Sequence, residues 1–158
     1  MKDYKLLLIA MLALAGCTNN TAMENNKNLF ALRLKPGEDL QAGIVRTVKT
    51  NHIEAGWIAT AVGSLTHYNI RFANQPEGAS GEGHFEIVSL VGTLSSNGNH
   101  LHISISDSTG KTIGGHLLEG CKVYTTAEIV IQATDKYTFT REKDGSTPWE
   151  ELQVKERK

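Results

Sequence analysis

An α+β domain is the architecture this sequence predicts: a mostly antiparallel, twisted β-sheet with one main flanking α-helix. Two observations point there. Stretches rich in β-branched and aromatic residues follow one another from Gly56 to Val154, separated by turn-forming residues. One stretch alone, with Leu40, Ile44, Val45 and Val48, repeats at helical spacing. Strands in series with a single helix make an α+β domain rather than a strand–helix alternation.

The first residues stand apart from that fold. Lys2 and Lys5 precede an apolar run, Leu6 to Ala13, and Leu14-Ala15-Gly16-Cys17 follows. This is the layout of a secretory signal peptide over residues 1–16, too short to remain as a membrane span. Its end resembles a bacterial lipobox, so Cys17 is expected to be lipidated and to anchor the protein in a bilayer. Residues 17–28 form the lipidated cysteine and a polar, Asn-rich tether. Thr18 stands where an aspartate would signal inner-membrane retention, which favours the periplasmic face of an outer membrane in a Gram-negative organism.

The domain is expected over residues 29–155, with a tail at 156–158. Asn28 to Lys35 alternates as a first strand, and Pro36 to Asp39 turns into a helix capped by the Asp39 carboxylate and ending near His52. Gly43 inside that helix implies close packing or a misplaced boundary. Gly56 to Phe72 reads as a strand with a bulge at Gly63. Ala73 to Gly83 reads as a turn-rich loop and His84 to Leu94 as a central strand. Strands follow at Cys121 to Ala133 and Tyr137 to Arg141, with a short closing strand near Leu152 to Val154. With Cys17 lipidated, Cys121 has no disulfide partner, and its apolar neighbours mark it as a buried thiol.

Between them lies the stretch that carries chemistry, His100 to Glu128. His100 and His102 alternate with Leu101 and Ile103, so a strand puts both imidazoles on one face. Asp107-Ser108-Thr109-Gly110 supplies a turn, and the chain returns through Gly114-Gly115 to His116. A hairpin there brings a third imidazole beside the first two. Three histidines around an open fourth position suit a divalent metal, zinc above all. Asp107 and Glu128 are candidate partners of those imidazoles. His52, His67 and His84 show histidine used elsewhere in the chain.

The segments HFEIVSLVGTL, HLHISISDSTGKTIGGHL and GCKVYTTAEIVI together resemble the PPC domain, a family conserved in plants and prokaryotes. The resemblance spans about Leu29 to Val154. It implies a trimer, and it implies that His100, His102 and His116 are the metal ligands of the prokaryotic type. It also implies a fold group shared with acetolactate decarboxylase, whose zinc sits on a similar histidine set. The sequence departs from the family at His84, where an arginine commonly precedes the F-E-I motif.

Three functions follow. The first is a trimeric, metal-binding envelope protein that takes a small anionic molecule at the open metal position. The second is a zinc-dependent lyase or decarboxylase, with Glu86 and Glu128 as candidate acid–base carboxylates. The third, DNA binding as in plant members, lacks support. The AT-hook of those members is missing, Arg33, Arg46, Arg71, Arg141 and Arg157 are scattered, and 16 basic residues face 17 acidic ones.

Overall fold

Eight strands and one helix make up residues 28–158, the part of the chain that the computed structural model describes. The expected signal peptide, Cys17 and all of the tether but Asn28 lie outside those residues. In order, the elements are β1 (Leu29–Leu34), α1 (Leu40–Thr50), β2 (Ala55–Arg71), β3 (Ala79–Ser95), β4 (Gly98–Ser106), β5 (Thr112–Leu117), β6 (Lys122–Ala133), β7 (Tyr137–Glu142) and β8 (Glu151–Glu156). Six strands form one antiparallel sheet in the order β1-β6-β2-β3-β4-β5, and β7 and β8 form a separate two-stranded sheet. The long β2 also reaches β5 at its far end, where Ile70 pairs with Leu117 and Arg71 with His116. The sheet therefore folds back on itself through β2, β3, β4 and β5.

Alternation explains where the core sits. Leu101, Ile103 and Ile105 point inward from β4 and meet Leu65 and Ile70 of β2 and Ile129 and Ile131 of β6, all buried. The helix adds Leu40, Ile44 and Val48 at helical spacing. Its first turn is capped by Asp39, whose Oδ1 accepts from the Ala42 amide at 3.0 Å. The other oxygen accepts from the Gly120 amide at 2.7 Å, tying the helix start to the entrance of β6. Gly43 is a packing glycine: a Cβ there would lie 2.6 Å from Leu34 Cδ2.

Two elements differ from the sequence expectation. β3 begins at Ala79, so the second half of the expected loop is strand. Gly81 and Ser80 pair with Tyr68 and Asn69 of β2, and Gly81 leaves room for the Tyr68 ring, 2.6 Å from where a Cβ would stand. A composition that reads as loop is drafted into the sheet by its partner strand. The closing strand is also longer than expected and runs from Glu151 to Glu156, paired with β7 over its whole length.

Candidate metal centre

β4 and β5 set the histidines. His102 stands in register opposite His116, and His100 follows two residues along on the same face. The register extends across four strands: Val91 of β3, His102, His116 and Arg71 of β2 stand in one row. Gly115 permits this, since a Cβ there would come 2.5 Å from the Arg71 carbonyl oxygen. Gly114 does the same on the other side, where a Cβ would come 2.8 Å from the Ile103 carbonyl oxygen of β4.

The three rings converge. One ring nitrogen from each of His100, His102 and His116 lies within 4.8 Å of the others. His100 Nε2 and His102 Nε2 are 3.1 Å apart, and the His100 ring is centred 4.9 Å from that of His116. His116 is half-buried and its Nδ1 has no hydrogen-bond partner. A buried imidazole nitrogen normally has one, and a metal ion would supply a partner to such a group. Burial holds the His116 pKa down at about 4, helped by the charges of His100, Arg71, His102 and Arg141. His100 is also lowered, first by burial and then by Arg141 and His102. Both rings are thus kept in the neutral state that a metal ligand requires. The donor set fits a divalent ion of the imidazole-preferring kind.

The triad opens onto a cleft of about 590 Å³ whose wall includes Arg71, His100, His116, Arg141, Trp149 and Glu151. Four of these were not singled out as site residues from the sequence. Arg141, Trp149 and Glu151 come from the β7–β8 sheet and the segment joining its strands, and Arg71 comes from the end of β2. No local pattern marks them, because only the closure of β2 on β5 and the docking of β7 bring them here.

The carboxylates singled out in the sequence lie elsewhere. Glu86 is exposed and sits opposite Ser106, four residues along β4 from His102. Glu128 is exposed on β6, opposite Arg33 of β1 and Val62 of β2. Neither joins the triad or its cleft. Asp107 turns the β4–β5 hairpin, accepting from the amides of Thr109 at 2.8 Å and Lys111 at 3.1 Å. Cys121 is buried, its thiol pushed up to about 11 by that burial, and it accepts from the Asn69 amide at 3.3 Å. His52 is exposed just past the helix with φ 52°. His67 faces Glu82 at 3.3 Å, and His84 stacks on Tyr124 at 4.3 Å between ring centres.

Against known proteins, residues 21–135 match the Plants and Prokaryotes Conserved (PCC) domain. The chain belongs to the PCC domain family. It is 40% identical over 126 residues to the bifunctional protein GlmU of Synechococcus sp. (strain JA-3-3Ab), covering 80% of this chain and 20% of that protein. The chain thus spans about a fifth of the length of the curated relatives it matches. A hypothetical protein from Salmonella cholerae-suis is 40% identical in structure-based comparison, with TM-score 0.80 over 82% of this chain and 94% of that one. A metal-containing protein from Archaeoglobus fulgidus is 26% identical, with TM-score 0.66 over 79% and 92%. Family and fold were both legible in the sequence. The PCC match ends at residue 135, so β7, β8 and their cleft residues lie beyond it.

Proposed function

We propose that this PCC protein is an envelope lipoprotein that holds one divalent metal ion, zinc by preference, on His100, His102 and His116. The open coordination position receives a small anionic molecule from the cleft. The observation that carries this reading is the convergence of three ring nitrogens within 4.8 Å at the edge of a cleft. The metal-containing relative from Archaeoglobus supports it, at 26% identity. Three neutral ligands would leave the ion its full charge, to bind or polarise a ligand oxygen. Imidazole donors suit zinc better than magnesium or calcium, which prefer oxygen.

A lyase would draw its acid–base group from the cleft, where Glu151 stands, rather than from Glu86 or Glu128. Nucleic acid fits less well. Cationic and acidic side chains share the cleft wall, and the formal net charge is −1. The test is metal uptake by protein purified without chelator or nickel resin, then reconstituted near neutral pH. About one zinc per chain is expected for wild type and for His52→Ala, with uptake lost in His102→Ala and His116→Ala. Equal uptake by wild type and both triad variants would sink the assignment.

A further inference from the structure

Arg141 is the feature of the cleft that the metal reading does not use. Its side chain is buried, with 9% exposure, and among the described residues no carboxylate lies within ion-pair distance of it. It is also firmly placed. Nη2 donates to Thr93 Oγ1 at 2.6 Å, and Asn97 clamps the backbone by accepting from the Arg141 amide at 2.9 Å and donating to its carbonyl at 3.0 Å. Nε is buried with no partner. The Glu151 carboxylate acts on Arg141 electrostatically, but from beyond ion-pair distance. A buried cation without a direct partner is costly, and such a group is normally satisfied by an anion.

Arg71 stands nearby, beside His116 in the strand register, with a single weak hydrogen bond at 3.5 Å to the Gln75 carbonyl. Its guanidinium lies 5.6 Å from the centre of the Trp149 ring, and Trp149 is 63% exposed on the cleft wall. Lys143 adds a third cation, while Glu150 and Glu151 add two carboxylates to the same wall. Glu151 is already engaged by the Thr147 hydroxyl at 2.6 Å. Three cations against two carboxylates leave this wall with a net positive charge before any metal ion is counted, which suits an anion. The planar guanidinium fork matches a planar carboxylate.

We infer that Arg141 and Arg71 form an anion subsite that takes one carboxylate of a short organic acid, whose second oxygen function faces the three imidazoles. Dicarboxylates and 2-hydroxy or 2-oxo acids have that shape. The imidazole half of the inference rests on the metal reading; the arginine half does not. Arg141 and Trp149 come from β7 and the segment joining β7 to β8, so the subsite depends on the docking of that two-stranded sheet against the histidine hairpin.

The test uses the full-length chain, with zinc content measured first, titrated calorimetrically with malonate and with inorganic phosphate. Malonate binding is expected, about tenfold or more weaker in Arg141→Gln and in Arg71→Gln, with zinc stoichiometry unchanged in both. Arg141→Lys, which keeps the charge and loses the fork, falls between. If Arg141→Gln does not fold, Arg71→Gln decides. Malonate affinity unchanged in the glutamine variants, no malonate binding by wild type at millimolar concentration, or phosphate binding tighter than malonate overturns the subsite. Failure of the wild type to take zinc overturns the metal reading instead, and the same titrations of that metal-free protein still read the arginines.

Discussion

Burial decides the behaviour of His116. Its neutral form is favoured in the folded chain, with a pKa of about 4, whereas an unfolded imidazole takes its proton near 6.5. Between those values the unfolded chain binds more protons than the folded one, so stability falls as pH drops from 6.5 toward 4. Above 6.5 both states are neutral at this residue and it contributes no slope. Urea unfolding of chelator-treated protein at pH 7, 5.5 and 4.5 should show that loss, reduced in His116→Gln. An equal pH slope in wild type and His116→Gln would contradict it. The triad itself was legible in the sequence, because H-x-H on a strand fixes two rings on one face and a tight turn returns the third. Arg71 and Arg141 were not, since each reaches the cleft through contacts distant in sequence. For Glu86 and Glu128, the carboxylates the sequence offers as acid–base candidates, the strand register carries both away from the rings.

Among the elements, the β4–β5 hairpin and the end of β2 act as one unit. Gly115 is their closest approach: an added Cβ would meet the Arg71 carbonyl oxygen at 2.5 Å and Ile70 Cγ2 at 3.0 Å. Backbone on one side cannot move without parting β5 from β2. Gly115→Ala is therefore expected to destabilise the protein by about 2 kcal/mol and to weaken metal uptake together with it. A urea midpoint equal to that of wild type would show that the closure is not tight. Strand existence was readable from β-branched alternation, and the helix from its period and its Asp39 cap. The start of β3 was not readable, because Ala79 to Gly83 is strand only by pairing with β2. The return of β2 to β5 has no local signature at all.

At the scale of the whole molecule, Val62, Val88, Val91 and Tyr124 are each between 42% and 58% exposed, which leaves apolar sheet surface in solvent. We propose that the trimer which the family resemblance implies covers this surface. Protein expressed without residues 1–17 should scatter light as three chains, and a concentration-independent monomer would contradict this. Among the described residues no helix is long and apolar enough to cross a membrane; the proposed anchoring is by lipid on Cys17. Cys17→Ser should release the protein from membrane fractions, and unmodified wild type in the soluble fraction would exclude lipidation. Both proposals concern where and in what company the site works. The site itself is tested most directly by anomalous scattering from zinc-reconstituted crystals. One peak per chain, about 2.0–2.1 Å from a ring nitrogen of each of His100, His102 and His116, with non-protein density in the fourth position, is the predicted result. No peak at the triad, or a fourth ligand supplied by a protein side chain, would contradict it.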